Sequence, residues 1–254
     1  MNIIVPVKLV PDLVEELTID ASGSALDTSW LRLILNEFDD HAIEQAILLK
    51  ERIGGQVTIV APDVEGIDDV LYTAGAKGAD RLIKLVGDFA GGFNNHALAR
   101  VFAAVIKELQ PDLLLTGVQA HNDLDGSVGP LLAEQLGMPY IGYVAGVTLT
   151  DGNAIARKEY PGGLIAEMEV TLPAVLGIQA AQQPPRYIAV SKVRQAMKTA
   201  SIEEQTVAEL DPTGGITIGR MFQPEAGKQA TMITGEVDEI AARLVDFFKE
   251  LGVL

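Results

Sequence analysis

Between Asn2 and Leu136, short apolar runs alternate with longer amphipathic ones, and glycine or proline marks most of the boundaries. Few folds accept that rhythm. Asn2–Val7, Gln56–Ala61, Arg81–Val86 and Asp112–Thr116 read as strands of a buried sheet. Asp39–Arg52, Ile67–Ala76, Asn95–Leu109 and Pro130–Leu136 read as helices. In the first of these Ala42, Ile43, Ala46, Ile47 and Leu49 share one face. Gly54-Gly55, Pro62, Gly78 and Pro111 close individual segments. A β-α-β-α-β-α-β order predicts an α/β fold. Its sheet is doubly wound and mainly parallel with right-handed crossovers, a Rossmann-like arrangement that suits an adenine nucleotide. Ala, Val, Ile and Leu supply most of the apolar mass and aromatics are sparse, which fits parallel strands covered by helices.

Two stretches break the rhythm. Leu9–Trp30 reads as a loop with a hairpin candidate at Ala21-Ser22-Gly23-Ser24. From Val144 onward, Val147–Leu149, Asn153–Glu159 and Leu164–Leu172 alternate around Asp151-Gly152 and Gly162-Gly163, which predicts antiparallel hairpins added to the sheet. Met138-Pro139-Tyr140 opens an extended segment, and Pro173–Gln179 returns as an apolar strand. Past Pro184-Pro185-Arg186-Tyr187 the pattern changes: Ser191–Ala200 reads as a basic helix, Ile202–Pro224 as loop-rich, and Val237–Leu251 as an amphipathic helix. A nucleotide-binding domain is therefore expected over 1–190. A C-terminal arm over 191–254, with little core of its own, is expected to pack on its own domain or on another subunit.

Charge and composition narrow the function. A net charge of −16 argues against nucleic acid, whose phosphates require Lys and Arg, and against anionic membranes. The chain has no cysteine, so disulfides, thiolate catalysis and zinc–sulfur sites are excluded. His41, His96 and His121 are scattered without metal-ligand spacing, so no metal is expected. The N-terminal MNIIVPVKLV lacks the charged segment and long apolar stretch of a signal peptide. No apolar run reaches the roughly 18 residues of a membrane helix. The expectation is a cytoplasmic protein without direct membrane insertion.

The densest signal is Leu113–Pro130, LLLTGVQAHNDLDGSVGP: a buried strand, a small polar turn and a helix start. At such a junction, free backbone N–H groups and the positive end of a helix dipole point into one crevice, where phosphate commonly binds. Two readings stand. Gly117 to Val128 wraps a nucleotide, with Gly126, Ser127 and Val128 offering N–H groups and Gln119, Asn122 and Asp123 polar contacts. Alternatively this is an ordinary turn built of turn-forming residues. It is neither a G-x-G-x-x-G fingerprint nor a lysine-bearing phosphate loop. Pro6-Val7-Lys8 and Ala61-Pro62-Asp63 end two further strands at the same sheet edge, which favours the nucleotide.

Each neighbouring residue also carries a plain alternative. Lys8 steers a phosphate or is solvated. Asp39 or Asp40 caps a helix, the default for an acid there, while Asn36 holds an adenine or ribose edge. His121 faces solvent or the nucleotide. Glu159 meets a partner's arginine or is a solvated hairpin carboxylate. No nucleophile elbow, Ser-His-Asp order or clustered carboxylates appear, so a catalytic set is not expected. Binding, structure or electron transfer is.

In order and spacing, the following segments resemble the β subunit of electron-transfer flavoprotein over essentially the whole chain: IIVPVKLVPD, LNEFDDHAIEQAILLKE, TAGAKGADRLIKL, PDLLLTGVQAHNDLDGSVGPLLAEQLGMP, ARKEYPGGL, LPAVLGIQAAQQPPRYIAV and FQPEAGKQATMITG. That resemblance implies a heterodimer with an α subunit. Such a pair carries electrons from flavin dehydrogenases to an acceptor such as a quinone oxidoreductase. It implies FAD shared with, and mainly held by, the α subunit, and AMP or a second FAD in the β subunit. The nucleotide contacts it implies are Pro6, Asn36, Glu37, Phe38, Asp39, Pro62, Gly117, Val118, Gln119, Ala120, His121, Asn122, Asp123, Leu124, Asp125, Gly126, Ser127 and Val128. Leu13 would face the α-bound flavin, and as an aliphatic residue it makes no hydroxyl contact. A docking loop would follow Pro185-Arg186-Tyr187 with Val190 as its apolar anchor. Glu159 would meet an arginine of the α subunit.

One departure bears on the nucleotide. AMP-binding members carry an Asn-Gln-Thr run where this chain has Gly126-Ser127-Val128, and Val128-Gly129-Pro130 is similar to electron-bifurcating relatives. Asn36-Glu37-Phe38 is similar to the non-bifurcating side. AMP is the occupant carried forward, with a second FAD as the first alternative and a stand-alone, stress-type adenine-nucleotide module as the second.

Overall fold

The computed structural model describes residues 1–89, 92–150, 152–224, 227, 230 and 232–253. Asp151 of the hairpin turn, and residues 225, 226, 228, 229 and 231 within the run Phe222–Gly235, lie outside the described residues. The elements in chain order are β1 (Asn2–Pro6), β2 (Leu9–Pro11), β3 (Leu33–Leu35), α1 (Glu37–Ile53), β4 (Gln56–Pro62), α2 (Ile67–Lys77), β5 (Arg81–Val86), α3 (Asn95–Leu109), β6 (Leu113–Gly117), α4 (Val128–Leu136), β7 (Tyr140–Thr150), β8 (Asn153–Tyr160), β9 (Leu164–Thr171), β10 (Ala174–Ile178), α5 (Val190–Thr199), β11 (Ile202–Thr206) and α6 (Val237–Glu250).

The main sheet runs β11-β5-β4-β1-β6-β10-β7-β8-β9. It is parallel from β11 to β7, and β8 and β9 continue it antiparallel. Side chains alternate across the strands, so each face has its own apolar core. Ile3, Val5, Ile59 and Leu115 face α1 and α2. Ile4, Val60, Leu85 and Leu114 face Leu98, Phe102 and Ile106 of α3 and Leu132 of α4. This is the doubly wound α/β fold with hairpin additions that the alternation predicts. After β1 the chain builds outward through β4 and β5, then returns past β1 to lay down β6 on its other side. A ligand crevice belongs at the carboxyl ends where that direction reverses.

Four details depart from the sequence expectation. β7 is one strand, not two: a bulge between Val144 and Val147, with Tyr143 at a φ of 59°, lets it pair with β10 at one end and β8 at the other. Within the expected loop, Leu9–Pro11 pairs antiparallel with Leu33–Leu35, while an Ile19–Leu26 bridge closes the 21–24 turn. β11 falls in a stretch that reads as loop-rich, yet it pairs with β5 along its whole length. Its Glu203 and Glu204 are those of a charged edge strand, and Glu203 holds Arg81 through two bonds of 3.0 and 2.7 Å. Finally, α1 begins at Glu37 with Asn36 at its N-cap, so neither Asp39 nor Asp40 is the cap.

Among the described residues, α5 packs on α2, and α6 buries none of its side chains. No helix there is long and apolar enough to cross a membrane. No group of three His, Asp or Glu is placed to hold a metal ion.

Candidate nucleotide crevice and docking segment

β1 and β6 pair only at Ile3–Leu113 and Ile4–Leu114, then splay. β4 stays with β1 to Pro6 and β10 stays with β6 to Gly117, so the sheet splits between two firmly held strands. That split is the crevice. The Asp39 side chain, 5 % exposed, bridges it. One oxygen accepts the Lys8 N–H at 2.9 Å and the other the Gly117 N–H at 3.0 Å. These donors are the ladder groups orphaned by the split, and a carboxylate between them replaces the missing strand contact. Burial pushes the Asp39 carboxyl up to about 6, against the pull of the Lys8 N–H and ammonium, of Asn36 and of the Gly117 N–H. Gly117 has to be glycine: a Cβ there would lie 2.9 Å from the Asp39 nitrogen and the Phe38 carbonyl carbon.

Asn36, buried beside Asp39, donates its Nδ2 to the Gln119 carbonyl at 2.9 Å, tying α1 to the turn after β6. Asp123 sits deeper in the same turn. Its Oδ1 accepts Lys8 Nζ at 2.6 Å and Asn95 Nδ2 at 2.7 Å, and its Oδ2 accepts the Ala120 N–H at 2.8 Å. Asn95 also accepts from Lys8 Nζ at 3.1 Å and donates to the Gly126 carbonyl at 2.7 Å. Lys8 is only 7 % exposed, so the solvated alternative fails for it. The sequence left Asn95 unnoticed: an isolated asparagine at a helix start has no spacing to betray it.

Pro6, Asn36, Asp39, Gly117, Gln119, Asp123 and Val128 come together here with Lys8 and Thr116 around an enclosed space of about 20 Å³. Pro62 is buried at the end of β4, across β1 from this space, and does not line it. His121, Asn122, Leu124 and Gly126 are exposed along the outer turn and Glu37 at the start of α1, while Phe38, Asp125 and Ser127 are half-buried. His96 Nε2, rather than His121, reaches into the turn, at 3.1 Å from the Asp125 carbonyl.

Donor chemistry suits an adenylate phosphate, but the enclosed space does not. Ser127, the N-cap of α4, makes no side-chain cap bond, so its hydroxyl does not satisfy the first N–H groups of that helix. Thr116 Oγ1 and one Asp125 carboxylate oxygen are buried without a hydrogen-bond partner. The enclosed space, by contrast, has about the size of one water.

The residues assigned to partner contact lie elsewhere. Leu13, Tyr187 and Val190 are 60 %, 88 % and 61 % exposed. Val190 is the first residue of α5. Glu159 projects from β8 beside Arg157, 3.4 Å away. Behind Tyr187 the chain is fastened to α1. His41 Nδ1 accepts the Ala181 N–H at 3.2 Å, and Gln45 Oε1 accepts the Gln182 N–H at 3.1 Å. Glu44 accepts the Arg186 N–H at 3.0 Å. Arg186 further bonds Glu44 and Glu51 through its guanidinium, which lowers the Glu51 carboxyl and raises the guanidinium. The polar Glu44-Gln45 pair, an interruption in an otherwise apolar helix face, is the sequence signal for this fastening.

Residues 26–210 match the family model described as electron transfer flavoprotein domain. Relatives match across nearly the whole chain. An electron transfer flavoprotein subunit beta of Methylophilus methylotrophus is 33 % identical over 98 % of both chains. A subunit beta of Clostridium acetobutylicum is 32 % identical over 98 % of both. The caffeyl-CoA reductase-Etf complex subunit CarD of Acetobacterium woodii is 31 % identical over the full length of both. The chain belongs to the family of electron transfer flavoprotein beta subunits, a family of electron-transport flavoproteins.

Proposed function

We propose that this chain is the β half of a cytoplasmic heterodimer that takes electrons from flavin dehydrogenases and passes them to an acceptor such as a quinone oxidoreductase. It binds AMP along the turn 117–128 and helps enclose an FAD carried mainly by the α subunit. That FAD supplies the redox chemistry when bound. The β polypeptide positions it, with Leu13 toward the flavin and Glu159 toward an arginine of the α subunit, and presents Tyr187 and Val190 to the dehydrogenase. Residues 191–254 serve in part as an arm over the partner.

The observation that carries this reading is α6. Leu244, Val245, Phe247 and Phe248, with Leu251 at the C-cap, are all at least 40 % exposed on a helix that buries none of its own residues. Such a face needs a cover, and the full-length likeness to beta subunits supports an α subunit as that cover. Co-expression with the α subunit tests it. A 1:1 complex carrying yellow flavin absorbance is expected; a monomer indifferent to the α subunit counts against the reading. A second FAD in place of AMP is the alternative, because Gly126-Ser127-Val128 stands where AMP-binding members carry an Asn-Gln-Thr run. The stand-alone stress-type module gains no support from the relatives.

A further inference from the structure

We infer that the Asp123 carboxylate is an internal stand-in for a ligand phosphate, and that Lys8 exchanges it for the phosphate when an adenylate enters the crevice. This rests on the adenylate reading above and adds Lys8 and Asn95 to the binding residues.

Three donors of different kinds converge on this one carboxylate: the Lys8 ammonium, the Asn95 side-chain amide and the Ala120 backbone N–H. An ammonium, an amide and a main-chain N–H make a donor set equally suited to phosphate oxygens. Lys8 is the one cation among the residues lining the enclosed space. Its side chain and that of Asp123 are 9 % and 10 % exposed. An ion pair so sheltered from solvent leaves an uncompensated charge when it is broken, and an incoming anion supplies the replacement.

The two sides of the contact are anchored differently. Lys8 lies two residues past β1 and its N–H is held by Asp39. Asn95 lies in the first turn of α3. Asp123 instead belongs to a turn whose flanking His121, Asn122 and Leu124 are exposed, and which ends at Gly126 with a φ of 99°. Asp123 is therefore the partner that leaves, its side chain swinging outward while Ala120 and its N–H stay with Lys8 and Asn95. Until it does, it competes with the ligand at the high effective concentration of a tethered group.

The test compares 5′-AMP with adenosine, which lacks the phosphate. Both are titrated calorimetrically into the nucleotide-depleted complex with the α subunit. Lys8→Met weakens AMP by about tenfold or more, while adenosine changes less than about twofold. Lys8→Arg, which keeps the charge, restores most of the AMP affinity. Asp123→Asn removes the competitor and tightens AMP severalfold. Opposite signs for Lys8→Met and Asp123→Asn distinguish exchange from a purely structural ion pair, because losing a structural pair weakens binding in both. Two variants that weaken AMP alike, or a Lys8→Met complex that binds AMP as the unsubstituted one does, overturn the inference. If the unsubstituted complex takes neither AMP nor adenosine, the adenylate reading itself falls. Circular dichroism of each variant checks the fold.

Discussion

Arg186 closes on Glu44 with both its backbone and its side chain, at 3.0 Å from the N–H and 2.9 Å from Nε, across 142 positions of sequence. Glu44 is almost wholly buried, so it depends on Arg186 for the neutralisation of its charge. Arg186→Met leaves that charge uncompensated. The expected loss is about 3 kcal/mol, measured by urea unfolding. The double variant Glu44→Gln with Arg186→Met recovers a good part of it, because the stranded charge is gone. Equal stability of single variant and parent would contradict the clamp.

Val190 stands beyond that clamp at 61 % exposure and contributes little to the core. Val190→Asp shifts stability by less than about 0.5 kcal/mol. If the segment docks dehydrogenases, the same variant slows flavin reduction by the dehydrogenase at least tenfold, a loss of about 1.4 kcal/mol of docking energy. Reduction by dithionite stays unchanged. Stopped-flow absorbance separates the two, and an unaltered enzymatic rate would remove Val190 from the docking surface.

Asp39 gives the crevice a pH signature. Its folded value of about 6 lies above the ordinary 3.8, so the folded state holds the proton more tightly than the unfolded one. This group's contribution is therefore fully present below about pH 4 and is lost as pH rises through 6. Asp39→Asn cannot titrate, and its amide opposes one of the two N–H donors, so it is destabilised overall. The stability gap between parent and variant narrows by roughly 1 kcal/mol from pH 5 to pH 7. Urea unfolding at the two pH values measures it. A gap independent of pH, or one that widens, would show that Asp39 is not titrating there.

Much of this architecture was legible because it repeats. The Asn2–Leu136 alternation reports the parallel sheet, since each strand–helix unit carries its own apolar period. β11 was not legible: Ile202-Glu-Glu-Gln-Thr206 packs one edge against β5 and shows solvent the other, so its polarity hides the strand. β2 and β3 hold three residues each, too few for any period. At the site, Asn36, Asp39 and Asp123 were named from their segments, but their roles depend on a split between β1 and β6. Pairing registers between strands a hundred residues apart leave no local trace. The Asp39 side chain consequently read as a helix cap when it spans the split, and Asn95 went unseen.

The central claim is that this chain holds an adenylate while the redox flavin belongs chiefly to its companion. Acid extraction of the purified complex, followed by chromatography of the released nucleotides, tests it most directly. One FAD and one AMP per heterodimer are expected. Release of FAD from the complex with no second adenine nucleotide would contradict it.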